Sequence, residues 1–261
     1  LAAAGKDARK LLDVEYDEGV GFSGQVLRTG KPAVVHDVSR EDMDEYAYQS
    51  QMKAIEAIDE GRFEEEIVPV EVPQRRGEPI LFDTDEVPRR DTSREKLAQL
   101  RPVFEKGGRI TAGNAPGITD GAAATVVMSR AKAEELGIPP LARVVAYDEA
   151  AVEPLKVFTA PIFAVRQLLD KTGTSVDDYD LFEVNEAFAA QVLADGRELG
   201  LPWDRINVNG GAIALGHPIG CSGTRVLVTL IHALRQRGLR RGLATLCLGG
   251  GEAVAMAIEL E

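Results

Sequence analysis

Three short segments of this 261-residue chain set chemically able side chains among small residues. His217 lies within Gly210-Gly211-Ala212-Ile213-Ala214-Leu215-Gly216-His217-Pro218-Ile219-Gly220-Cys221-Ser222-Gly223, and Cys247 opens Cys247-Leu248-Gly249-Gly250-Gly251. Upstream stands Asn185-Glu186-Ala187-Phe188-Ala189, so the three polar positions are 32 (217 − 185) and 30 (247 − 217) residues apart. An imidazole on a Gly–Pro loop running straight into a helix start is suited to binding an oxyanion or taking a thiol proton. A thiol followed by three glycines can serve as nucleophile or as general acid and base, with nearby amides open to an oxyanion. Asn185 is expected where a strand gives way to a helix, the crevice in which α/β proteins place ligands. Each has a structural alternative: a hydrogen-bonded loop histidine, an inert core thiol and a helix N-cap. Their glycine-rich settings and shared order favour chemistry. Cys221 reads instead as a small packed residue at a helix start.

These side chains need a scaffold, and its elements are readable. Ser39-Arg40-Glu41-Asp42 is a capping-box pattern that opens a helix to about Glu60, stopped by Gly61. Ile67 to Val72 is predicted as a short strand, residues 73–92 as a solvated loop and Leu97 to Phe104 as a helical turn and connection. The tight loop Thr111-Ala112-Gly113-Asn114-Ala115-Pro116-Gly117-Ile118-Thr119-Asp120-Gly121 leads into Ala122 to Ser129, predicted as a buried strand, then Ala131 to Leu136 as a short helix. Strands are expected at Arg143 to Tyr147, Leu181 to Val184, Ile206 to Val208, Gly242 to Leu248 and Ala253 to Leu260. Helices are expected at Ala160 to Thr172, Glu186 to Leu199 and Ser222 to Arg237. This alternation argues for a layered α/β fold. A glycine-rich turn feeding a small-apolar strand occurs at 117–128 and again at 249–258, an echo that fits duplication or chance.

Composition narrows the function. With 42 Asp+Glu against 30 Lys+Arg the formal charge is −12, which argues against nucleic acid as a partner while leaving room for a local phosphate-binding patch. There is no apolar run of about 18 residues, so no membrane span or membrane partner is expected. A start at Leu1 is compatible with a gene fragment or a processed chain, and no secretory signal opens it. Two cysteines make no disulfide framework, which points to the cytoplasm. No Cys/His grouping has metal-ligand spacing, and no phosphate-loop or dinucleotide fingerprint occurs. His36, His232 and the cluster Arg235, Arg237, Arg240 and Arg241 read as structural or solvated.

Residues 1–37 differ in character. Gly19-Val20-Gly21-Phe22-Ser23-Gly24, followed by Thr29-Gly30-Lys31-Pro32 and Ala33 to Asp37, resembles a piece of a GAF-type sensory domain. An unrelated edge hairpin is the alternative.

From about residue 38 to 261 the motifs together resemble thiolases. Besides the three segments above, Ser39-Arg40-Glu41-Asp42 running into Asp44-Glu45-Tyr46-Ala47, and Thr111-Ala112-Gly113-Asn114-Ala115-Pro116-Gly117, carry the likeness. It implies a layered α-β-α-β-α architecture with the N-terminal half largely missing. Residues 38–130 would be the loop region and the end of that half, and 131–261 the C-terminal domain. The implied reaction is acyl transfer between coenzyme A thioesters, as acetoacetyl-CoA formation or 3-ketoacyl-CoA thiolysis. Acyl-CoA would be the substrate, no prosthetic group is implied, and a homo-oligomer would follow if the full fold is present. By resemblance, His217 activates an N-terminal nucleophilic cysteine and binds the thioester oxygen, Cys247 exchanges the α-proton, and Asn185 holds a water in an oxyanion hole. The segment around Arg89 and the loop with Ala115 and Pro116 match where such enzymes receive CoA, and Ala187, Phe188 and Gly249 fall on the substrate side. Arg89 is equally a solvated charge, and Pro116 stands where a serine is frequent. No cysteine precedes Cys221. The chain alone is therefore expected to be impaired in turnover. The alternatives are a non-catalytic CoA-binding or interaction module derived from a thiolase, or a β-ketoacyl synthase.

Overall fold

Ser39 opens its helix as the capping box predicts. In the computed structural model, which describes residues 38–261, Asp42 N donates to Ser39 Oγ at 3.0 Å and Ser39 N donates to the Asp42 carboxylate at 3.2 Å. Helix α1 then runs Arg40–Asp59. The GAF-like stretch lies outside the described residues. A two-stranded hairpin follows, β1 (Val70–Val72) with β2 (Ile80–Phe82), then α2 (Arg94–Ala98) and α3 (Arg130–Leu136). The rest alternates: β3 (Ala142–Ala151), α4 (Ala160–Thr172), β4 (Leu181–Val184), α5 (Ala189–Leu199), α6 (Ala212–Leu215), α7 (Ile219–Arg237), β5 (Arg241–Leu248) and β6 (Glu252–Leu260).

The last four strands form one sheet in the order β3-β6-β5-β4. β5 and β6 are an antiparallel hairpin across the glycine turn, while β4 runs parallel to β5 with Val184 opposite Thr245. Side chains alternate across the sheet. Phe182, Leu243, Ala253, Ala255 and Ala257 pack on one face against Ala164, Val165 and Leu168 of α4. Leu181, Ala244 and Ile258 pack on the other against Val226, Leu230 and Ala233 of α7. Each fully buried Leu or Val contributes about 1.5–3 kcal/mol. A third cluster joins Met43 and Ala47 of α1 to Ala189 and Leu193 of α5 and Ile213 of α6. It fixes the first helix over the end of the sheet. The described residues thus hold one helix–sheet–helix sandwich of the larger layered α/β architecture.

Several expectations change. The segment 122–129 is not a strand: it has no regular secondary structure and is exposed, with Val126 85% and Val127 78% accessible. A strand exists by pairing, and no described strand lies beside this one. The echo between 117–128 and 249–258 is consequently not a structural repeat here. Residues 73–92 contain β2 rather than loop alone. Residues 206–208 supply an isolated bridge from Ile206 to Phe182 in place of a strand. Helix α5 starts at Ala189 rather than Glu186, which leaves Asn185 to Phe188 as irregular backbone.

Candidate active site

Strand β4 delivers Asn185 to the carboxyl end of the sheet. Its N–H donates to Thr245 O at 3.0 Å, one bond beyond the regular ladder, and the residue is fully buried. Cys247 lies two residues after Thr245 on the neighbouring strand, at the same end. His217 comes to Asn185 from a loop, its Nε2 3.3 Å from Asn185 Nδ2.

Local chemistry decides the tautomer of His217. Ser222 Oγ donates its one proton to Pro218 O at 3.1 Å, so it accepts from His217 Nδ1–H at 2.6 Å. The Nε2 lone pair then faces Asn185 Nδ2–H. The ring's backbone is held as well, because His217 N donates to Gly117 O at 2.9 Å. Gly216 has φ +93, and a Cβ there would overlap Thr119, so glycine alone fits this turn. Burial first, and the Arg225 guanidinium second, hold the imidazole below its ordinary range. His217 is therefore neutral at pH 7, its basic nitrogen held by a long 3.3 Å contact from the buried amide. The Oδ1 of Asn185 is buried without a protein partner, free to accept from a water or ligand.

Cys247 is half-buried and reduced. Burial, with the Asp195 carboxyl adding to it, pushes its thiol up to about 12. It rests as a protonated thiol. Cys221 is buried and likewise pushed up.

Behind Asn185 stands a carboxylate hub. Glu186 is fully buried and accepts from Tyr46 Oη at 2.9 Å, Ser50 Oγ at 2.8 Å, Asn207 Nδ2 at 3.0 Å and Ile213 N at 2.9 Å. It ties α1 to the start of α6 and so to the His217 loop. Gly211 leaves the space this carboxyl occupies, since a Cβ there would overlap it. Asn207, with φ 45, uses its side chain as a strand partner. Its Oδ1 accepts from Val184 N at 2.9 Å and its Nδ2 donates to Val184 O at 2.8 Å. Asn207 lies ahead of the Gly210 motif with no signal beyond its residue type, and the sequence pattern marks Ser222 as a helix start, with nothing that announces it as the partner of His217.

The remaining candidates divide. Phe188 stacks edge-on with Phe158 and Phe104 at 5.2 and 6.1 Å between centroids, and Ala187 is buried beside it. Ala115 and Pro116 are half-buried on a loop pinned by Asn114, whose carbonyl accepts from Ala189 N at 3.1 Å. That brings the loop to the start of α5, next to Asn185. Gly249 is exposed at the hairpin turn with open space where a side chain would be. Arg89 is exposed on a segment held to α1, its N–H donating to Gln51 Oε1 at 2.8 Å. Among the described residues no group of His, Cys, Asp and Glu could hold a metal ion, and no helix is long and apolar enough to cross a membrane.

Comparison with known proteins agrees with this geometry. Sequence models of the thiolase N-terminal domain and the thiolase C-terminal domain match residues 11–131 and 138–260. The chain is 56% identical over 248 residues to an acetyl-CoA acetyltransferase of Pseudomonas aeruginosa, covering 95% of this chain and 62% of that protein. It is 53% identical over 254 residues to one of Chromobacterium violaceum, covering 96% and 65%. The chain thus spans somewhat under two thirds of the length of these relatives. Among solved structures, the Bacillus anthracis acetyl-CoA acetyltransferase superposes with a TM-score of 0.84 at 49% identity, covering 87% of this chain and 57% of that one. Human mitochondrial 3-ketoacyl-CoA thiolase in complex with CoA superposes with a TM-score of 0.84 at 44% identity, covering 88% and 57%. With both domain models matched in order and the site residues gathered at one sheet end, the chain belongs to the thiolase family.

Proposed function

We propose that this chain supplies the acid–base and oxyanion side of acyl transfer between coenzyme A thioesters, by acetoacetyl-CoA formation or 3-ketoacyl-CoA thiolysis. The observation that carries this reading is the His217 tautomer: with the proton on Nδ1 at Ser222, Nε2 is the basic nitrogen, and only the long 3.3 Å contact from Asn185 Nδ2 has to be given up for it to take a proton. In the proposed reaction Nε2 takes the proton of an attacking thiol as sulfur bonds to the thioester carbon. It returns that proton to the departing CoA thiolate when the carbon–sulfur bond of the substrate breaks. Asn185, through its free Oδ1, holds a water that donates to the thioester oxygen. A thiol kept protonated suits the thiolysis direction, where Cys247 gives its proton to the enolate carbon of the leaving acetyl-CoA. CoA thioesters are substrates here, and no prosthetic group enters. Two free thiols fit a cytoplasmic setting.

The acyl-accepting thiol is the part this chain does not provide. Cys221 and Cys247 are both held as thiols by burial, so neither is a strong nucleophile at neutral pH. The chain alone is accordingly impaired, and a cysteine-bearing N-terminal half completes it and allows a homo-oligomer to form. The test mixes the chain with acetyl-CoA and reads intact mass, then follows acetoacetyl-CoA thiolysis with and without a separately expressed N-terminal thiolase half. No acyl adduct alone and turnover on addition are expected. A covalent acyl-enzyme at Cys221 or Cys247 would overturn the division of labour. CoA binding with no restored turnover would make the chain a non-catalytic CoA-binding module.

A further inference from the structure

Behind the site lies a buried carboxyl–guanidinium pair that the chemistry above leaves unused. Glu183 is 1% exposed on β4, two residues before Asn185, and strand alternation points the two side chains to the same side. Arg225 sits on α7, one turn after Ser222. Its Nη1 lies 3.3 Å from Glu183 Oε2, while Glu183 Oε1 is buried without a partner. One partner belongs to the strand that ends in Asn185. The other belongs to the helix whose first turn holds His217 through Ser222. The pair therefore bridges the two elements whose side chains meet at Asn185 and His217.

We propose that Glu183 and Arg225 are positioning residues for this site, tying β4 to α7 so that the Asn185 amide meets His217 Nε2, with the guanidinium keeping a positive charge behind the ring. Stability alone is a poor reason for such a pair. Burying a carboxyl with one arginine and one bare oxygen costs in desolvation about what the attraction returns. Arg225 also faces Glu66 and Asp85, and its field reaches Cys221 and His217. The titratable and charged groups on the elements that meet at the imidazole are Cys221 and Arg225 on α7, Glu183 on β4 with Glu186 just beyond it, Cys247 on β5, and Asp120 on the segment that packs over the loop; Arg225 is the charge whose field reaches the ring. Burial lifts the Glu183 carboxyl to about 8 against the pull of Arg225. At the lower pH where His217 takes up a proton, Glu183 is neutral, so the arginine charge is left to oppose that proton. The inference rests on the proposed role of His217 for its consequence, but its test reads the ring itself.

The experiment is an NMR pH titration of the histidine rings together with the Asn185 side-chain amide, in the chain as it stands. Arg225→Gln, which can still donate to Glu183, is expected to raise the His217 midpoint while His232 stays in place. Arg225→Lys keeps the charge but not the reach and planar shape that set the single Nη1 contact to Glu183 Oε2, so the midpoint stays low and the Asn185 amide signals move. An unchanged His217 midpoint in Arg225→Gln overturns the proposal. So do unmoved Asn185 signals in Arg225→Lys, and that arm decides if the glutamine variant does not fold. Absent acyl transfer in the completed enzyme with these shifts intact would sink the functional reading and leave this one standing.

Discussion

Asn185 Nδ2 and His217 Nε2, 32 residues apart (217 − 185), stand 3.3 Å from each other at the carboxyl end of the sheet. The amide reaches the ring because its backbone extends the β4–β5 ladder by one bond, and the ring is fixed because Ser222 holds its other nitrogen. Asn185→Asp would place a carboxylate against Nε2. An adjacent negative charge favours the imidazolium, so the His217 midpoint is expected to rise from its depressed position. An NMR titration of Asn185→Asp that leaves the midpoint in place would show that the contact is absent in solution.

Cys247 offers a second test that needs no turnover. Its thiol is pushed from 9.0 to about 12, chiefly by burial. Thiolate is the reactive form. At pH 8 the residue should hold roughly two to three orders of magnitude less thiolate than an exposed cysteine. In a Cys221→Ser background, alkylation by iodoacetamide should be correspondingly slow and should still be accelerating above pH 10. A rate that levels off near pH 9 would place the thiol in water.

Glu186 bears on stability. Truncation in Glu186→Ala strands the donors of Tyr46, Ser50, Asn207 and Ile213, and an unpaired buried donor costs about 1–3 kcal/mol. A loss of at least about 3 kcal/mol is expected in urea unfolding. Gly211→Ala, which presses on the same carboxyl, should also destabilise. A loss near zero for Glu186→Ala would mean that water replaces the carboxylate freely.

The contrast between the hub and the motifs shows what sequence can carry. Asn185, His217 and Cys247 are legible because each sits in a run whose glycines and order are unusual, and α4 matches its expected span because an apolar stripe is a local feature. The Glu186 hub is not legible, since Tyr46 and Glu186 are 140 residues apart and only the packing of α1 over the sheet joins them. Asn207 substitutes a side-chain amide for a missing strand neighbour of Val184, which no periodicity announces. Residues 122–129 failed in the opposite sense. Their small-apolar pattern is that of a strand, but strand formation depends on a partner outside the segment.

Stability should also depend on Glu66, whose carboxyl is raised from 4.5 to about 7 by burial. The folded state then binds its proton more tightly than the unfolded chain, so this contribution is present below pH 4.5 and is lost as pH rises through 7. Glu66→Gln is expected to remove that loss, a gain of at most about 3 kcal/mol at pH 8. Denaturant midpoints at pH 5 and 8 measure it. If the variant and the parent decline in parallel between those values, Glu66 is not the group responsible.

The segment from Ile118 to Val127 gives the last prediction. Ile118, Val126 and Val127 are 94%, 85% and 78% exposed on a segment without regular secondary structure and with no described strand paired to it. Exposed apolar side chains together with free N–H and C=O groups make a template for pairing with another chain. Left alone, this edge should drive self-association that grows with protein concentration. A charge at Val127 lies far from the sandwich core, so Val127→Lys is expected to reduce sedimenting oligomer while leaving the urea midpoint within about 0.5 kcal/mol of the parent. Adding a complementary N-terminal half should suppress the same self-association in the unaltered chain, because the edge would then be covered. Oligomer that persists equally in Val127→Lys would assign the association to another surface.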